Sequence, residues 1–155
     1  METKELHEFK LAIRGLEREF FLKLKQETES CGVTLSQRHI ITEIGERKET
    51  SIVELSSVLG LDPSTLSRNI NNMVNLGLVN RYVKPKDRRY VILELTEKGQ
   101  AIYDTLNTIY NEHYKKIFEL IPEENQRQVI ESFELFYDAT QELKYRSNSF
   151  SECTE

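Results

Sequence analysis

The sequence predicts a mainly α-helical fold, six helices with a small β-hairpin wing and two to three short strands. Three observations lead there. Apolar residues recur at steps of three and four along most of the chain, the period of an amphipathic helix. That period breaks once, between Leu78 and Leu95, where two runs rich in β-branched and aromatic residues flank a polar stretch. Three prolines and six glycines in 155 residues are too few for a turn-rich sandwich.

Leu6, Phe9, Ile13, Leu16, Phe20 and Leu24 form one apolar stripe, so a first helix is expected over about residues 5 to 29, ended near Gly32. Thr34 and Gln37 have capping-box spacing ahead of Ile40, Ile41 and Ile44, which predicts a second helix over about 35 to 47. Ser51 and Glu54 repeat the box ahead of a short third helix carrying Ile52, Leu55, Val58 and Leu59, stopped by Gly60. Asp62 caps a fourth helix, with Pro63 tolerated at its first position and Gly77 beyond its end. Leu78–Val83 and Tyr90–Leu95 are the two strand candidates, with Lys84–Arg89 as the loop between them. Thr96 begins a fifth helix that runs to about Leu120, and Pro122-Glu123-Glu124 starts a sixth with Val129, Phe133, Phe136 and Leu143. The Ser/Asn/Glu-rich tail 147–155 is expected to be disordered.

Composition narrows the class. Apolar residues are 38% and charged residues 30%, and no stretch approaches the ~20 uncharged apolar residues of a membrane span. The charged start has no apolar run behind it, unlike a secretory signal, and Cys31 and Cys153 make no disulfide framework. A cytoplasmic protein is expected. The net charge of −5 is uneven: residues 62–98 hold seven basic and four acidic residues, a local +3, which leaves −8 for the rest. Local field decides where a polyanion docks.

Helix, short helix, tight turn at Gly60-Leu61, helix and basic hairpin is the order of a winged helix-turn-helix, with the fourth helix as the reading helix. At 100° per residue, Leu66, Ile70 and Met73 share one face, while Ser64, Arg68, Asn71 and Asn75 lie opposite, flanked by Thr65, Ser67 and Asn72. Hydroxyls, amides and one guanidinium suit base edges and phosphates, and the helix N-terminus is itself expected to favour a phosphate. A merely solvated face normally carries Glu and Lys, as the first helix does, rather than residues that lower helix propensity. In the hairpin, Arg81, Lys84, Lys86, Arg88 and Arg89 surround one acid, Asp87, which is placed to hold Arg89 across the turn. A narrow minor groove attracts an inserted arginine, and flanking cations fit phosphates. Phe9, Phe20, Phe21, Phe133, Phe136 and Tyr137 exceed what a small core covers, which points to a partner subunit.

At these residues the chain resembles the MarR family of bacterial transcriptional regulators. The likeness rests on Leu35-Ser36-Gln37, on Ser56–Gly77, and above all on Asp87-Arg88-Arg89 followed by Leu95-Thr96-Glu97-Lys98-Gly99. It implies a single MarR-type domain over 1–155, with the winged-helix DNA-binding part at 34–99 and dimerisation helices at 5–30 and 100–146. It further implies a homodimer, with Leu6, Phe9, Ile13, Phe133, Phe136 and Tyr137 among the dimerisation residues. Ser64, Thr65, Ser67 and Arg68 would face the major groove and Arg89 the minor groove; the reading of the residues themselves adds Asn71 and Asn72 to the reading helix and Lys84, Lys86, Asp87 and Arg88 to the wing as DNA-binding candidates. Double-stranded DNA with a pseudo-palindromic operator is the expected partner, its half-sites roughly 34 Å apart. The resemblance also implies a repressor released by a small phenolic or anionic effector.

Tyr103, Tyr110, Tyr114 and His39 read as core or interface residues that a ligand pocket would share. Cys31 follows Glu27 and Glu29, a setting that disfavours a thiolate, and reads as unreactive. His39 sits where a zinc-responsive branch of the family has a ligand, but His113 stands without a second histidine one turn away, so no metal and no cofactor are expected. No phosphate-binding glycine loop, Cys-x-x-Cys pair or nucleophile elbow is present, and no enzyme is expected. The alternatives are a winged-helix interaction module that does not read DNA, and a metal- or thiol-responsive regulator.

Overall fold

The computed structural model describes residues 3–84 and 87–151, and for 84, 87–90 and 147–151 the backbone alone. In chain order the elements are α1 (Thr3–Cys31), α2 (Leu35–Arg47), β1 (Thr50–Ser51), α3 (Ile52–Leu59), α4 (Pro63–Asn75), β2 (Val79–Lys84), β3 (Asp87–Leu95), α5 (Glu97–Glu119) and α6 (Glu123–Ser151). The chain divides into two compact units, the first ending at Tyr110 and the second beginning at Asn111.

The core of the first unit is the inward face of the winged helix. Ile40, Ile41 and Ile44 of α2, Leu55 of α3, Leu66, Ile70 and Met73 of α4 and Leu93 of β3 are all fully buried. Each such side chain contributes about 1.5–3 kcal/mol on leaving water, so the three inward residues of α4 hold that helix firmly by one side. Both capping boxes form. Thr34 Oγ1 accepts from the Gln37 amide at 3.2 Å while Gln37 Oε1 accepts from the Thr34 amide at 2.9 Å. Ser51 and Glu54 do the same at 3.2 and 2.8 Å.

The sheet is antiparallel in the order β1-β3-β2. Its short β1, pairing Thr50 with Leu93 and Ser51 with Ile92, has two residues, too few for a period-2 pattern to show in sequence. The hairpin strands reach further than expected. Lys84 and Asp87–Arg89, placed in the loop by their polarity, belong to β2 and β3. The pairing runs in register from Val79↔Leu95 to Val83↔Val91 and then slips to Lys84↔Asp87, an irregularity that lets a polar tip stay paired.

In the second unit, α6 continues to Ser151, past Ser147, where a disordered tail was expected. Serine and asparagine cost a helix only a few tenths of a kcal/mol each, so a helix already propagating crosses them. Residues 152–155 of that expected tail lie outside the described residues. Among the described residues α6 has no buried side chain.

Candidate nucleic-acid interface

The reading helix is aimed by the turn before it. Gly60 adopts φ 62°, ψ 28°, a left-handed conformation that costs glycine nothing, and its N–H bonds back to Ser56 O. The Leu61 amide also donates to Ser56 O at 3.2 Å, and the Ser56 hydroxyl donates to Leu61 O at 2.7 Å. One serine thus ties both sides of the turn.

Asp62 then starts α4. Its Oδ1 accepts from the amides of Ser64 at 2.9 Å and Thr65 at 3.1 Å, and from the Ser64 hydroxyl. The Ser64 hydroxyl, then the Thr65 and Ser64 amides, hold the Asp62 carboxyl below its ordinary pKa. The Leu66 amide donates to Asp62 O at 2.9 Å, and Pro63 has no N–H. The whole first turn is therefore satisfied from within. The expected phosphate site at this N-terminus is not open, because the cap already occupies its donors.

Beyond the cap the faces divide as expected. Ser64, Thr65, Arg68, Asn71, Asn72 and Asn75 are exposed, Ser67 is half-buried, and Leu66, Ile70 and Met73 point into the core. Two of the expected readers carry internal bonds: Ser64 donates to Asp62, and Asn71 Oδ1 accepts from Arg81 Nη1 at 2.8 Å. Arg81 stands on β2, so this bond joins reading helix to wing. On the other side of β2, Glu94 accepts the Tyr82 phenol and pushes its pKa up to about 12. Of the wing residues, Lys86 lies outside the described residues, as do the side chains of Lys84, Asp87, Arg88 and Arg89, including the expected Asp87–Arg89 contact.

The family model for the MarR family matches residues 33–91, from the loop before α2 through most of the wing. Over these residues the chain is similar to the MarR family. The chain is 26% identical over 111 residues to the HTH-type transcriptional regulator BilQ of Clostridium symbiosum, covering 72% of this chain and 77% of BilQ. A MarR transcriptional regulator from Methanosarcina mazei shares the fold at TM-score 0.73 and 24% identity, over 88% of this chain and 99% of that one. FabT of Streptococcus pneumoniae, solved in complex with DNA, does so at TM-score 0.76 and 21% identity, over 92% and 99%. The MarR family is one of regulators, not enzymes.

The Leu95-Thr96-Glu97-Lys98-Gly99 segment proves to be a fastener. Thr96 Oγ1 donates to Gly77 O at 2.7 Å and accepts from the Gly99 amide at 3.0 Å, capping α5. The Thr96 amide donates to Leu78 O at 3.1 Å, and Lys98 Nζ donates to Leu76 O at 3.1 Å. Gly99 is packed so tightly that a Cβ would stand 2.1 Å from Leu78 O. These bonds hold the carbonyls just past α4, so the C-terminal end of the reading helix is fixed to the start of α5.

Sequence reasoning missed a buried pair. Arg38 of α2 donates through Nε and Nη2 to Glu27 Oε2 of α1, at 3.1 and 2.9 Å, with side chains 8% and 1% exposed. The Arg38 guanidinium also lies 5.9 Å from the centre of the Tyr110 ring. Glu27 reads as one more acid on the polar face of the first helix, and nothing local marks it as buried. Of the residues named for a pocket, Tyr103 instead covers Gly45 and donates to Glu46 Oε1 at 2.8 Å. His39 is half-buried, its pKa lowered by that burial and then by Arg38. His113 and Tyr114 meet edge to face, 5.5 Å apart. Cys31 lines a cleft of about 320 Å³ with Ser30, Lys98, Ala101, Ile102 and Thr105. No three His, Cys, Asp or Glu among the described residues gather as a metal site, and no helix there is long and apolar enough to cross a membrane. Phe9, Phe133, Phe136 and Tyr137 are exposed, while Leu6 and Ile13 are half-buried.

Proposed function

We propose that the chain works as a homodimer that grips a pseudo-palindromic duplex site and represses transcription until a small phenolic or anionic effector releases it. Residues 34–99 serve as the DNA-reading part, with 5–30 and 100–146 as the dimerisation helices. The observation that carries this is α4: one face is locked in the core, and the other presents Thr65, Ser67, Arg68 and Asn72 to solvent. Such a rigid polar rod suits the major groove, where hydroxyl, amide and guanidinium groups meet base edges. The wing supplies Arg89 to the neighbouring minor groove, with Lys84, Lys86 and Arg88 toward phosphates. FabT, solved with DNA, supports this use of the shared fold.

The dimer is supported by α6, whose Phe133, Phe136, Tyr137 and Leu143 are 51%, 43%, 62% and 67% exposed and fall on one helical face. Effector action is a shift of population toward a spacing of reading helices that no longer spans two grooves. The cleft beside Cys31 is the place for it in the first unit, since Lys98 lines it and also holds Leu76 O behind the reading helix.

Duplex DNA titrated at several salt concentrations tests the reading. Affinity should fall steeply with salt, with a slope of about −0.9 per neutralised phosphate. A weak, flat response would instead favour an interaction module. Arg89→Ala should cost about 1–3 kcal/mol of DNA affinity, and unchanged affinity would remove its groove role.

A further inference from the structure

We infer that Arg81 is a DNA-phosphate contact, and that Asn71 is its positioning residue rather than a reader of bases; this rests on the DNA-binding function proposed above. Arg81 lies opposite Leu93 in the sheet and two residues from Val79, so its stem starts on the core-facing side of β2. The guanidinium reaches the surface and meets Asn71 Oδ1 at 2.8 Å. That partner is a neutral amide, so the contact fixes the guanidinium without cancelling its charge. Tyr82 and Glu94 pair on the opposite face of the hairpin.

Placement decides what this cation meets. With α4 in a major groove and the wing in the adjacent minor groove, the sugar-phosphate strand dividing the two grooves crosses the junction of α4 and β2. Arg81 sits at that junction. Asn71 is two turns along α4 from Ser64, away from the N-terminal residues that reach deepest into a groove. The α4 N-terminus cannot serve the phosphate instead, since Asp62 takes the Ser64 and Thr65 amides. The Arg81 guanidinium is a pre-oriented donor at this lip, and a phosphate contact positions a protein without reading sequence.

The test uses the full chain and a fluorescently labelled mixed-sequence duplex, with anisotropy read at several KCl concentrations. Arg81→Ala should weaken binding several-fold and lower the salt slope by about 0.9 for each bound subunit. Arg81→Lys should keep the slope, because it keeps the charge. Asn71→Ala should weaken binding a few-fold with the slope unchanged. If Arg81→Ala leaves the slope at the wild-type value, the contact does not exist. If Asn71→Ala alters only the preference between duplex sequences, Asn71 reads bases after all. An absence of salt-dependent binding by the wild-type chain overturns the proposed function and this inference together, so the two failures are distinguishable. Circular-dichroism melts of each variant confirm that the comparison is between folded proteins.

Discussion

Asp62 determines where the reading helix begins, and it does so as a charged group. Its lowered pKa means the folded state favours the carboxylate, through the Ser64 hydroxyl and the two amides. The stabilisation is therefore complete above the ordinary carboxylate pKa of about 4 and is lost as pH falls through the lower folded value. Asp62→Asn keeps a good cap that does not titrate. Protection factors of the Ser64 and Thr65 amides, measured against the intrinsic exchange rate at each pH, should fall on acidification in the wild type but stay level in Asp62→Asn; parallel behaviour would deny the cap its role. Gly99 is decided by space. Its missing Cβ would collide with a backbone carbonyl, which cannot swing aside as a side chain can. Gly99→Ala should destabilise by about 1–3 kcal/mol in urea unfolding.

Between elements, the Glu27–Arg38 pair ties α1 to α2 where both side chains are nearly out of reach of water. Removing one partner of such a pair strands the other charge. Glu27→Gln should therefore cost about 3–5 kcal/mol in chemical denaturation. Replacing both together, as Glu27→Leu with Arg38→Met, should recover most of that loss. A Glu27→Gln variant as stable as the wild type would show that the pair is dispensable. The same logic of linked elements applies at Thr96 and Lys98, whose bonds to Gly77 and Leu76 fasten the start of α5 to the end of α4.

For the whole molecule, the exposed apolar face of α6 and the uneven charge act together. Monomers seldom expose a stripe such as Phe133, Phe136 and Leu143 without a partner. Phe133→Glu with Phe136→Glu should shift sedimentation from dimer to monomer. Duplex affinity should fall with it, because one reading helix cannot span two half-sites. A wild-type chain that sediments as a monomer at micromolar concentration would end the dimer proposal. On the proposed DNA-binding function, the acidity outside residues 62–98 would direct a polyanion to the basic segment 62–98.

Much was legible in the sequence because it is local. Helix periods, both capping boxes, the Asp62 cap and the division of α4 into a core face and a polar face depend on residues within a turn or two of each other, and each took its expected place. Tertiary structure alone decided the rest. It turned Glu27 from a surface acid into half of a buried ion pair. It also gave Asn71, on the exposed polar face of α4, a bond with Arg81. The ion pair and the Asn71–Arg81 bond turn on which side chains meet across ten residues or more in the chain, and periodicity carries no information about such encounters.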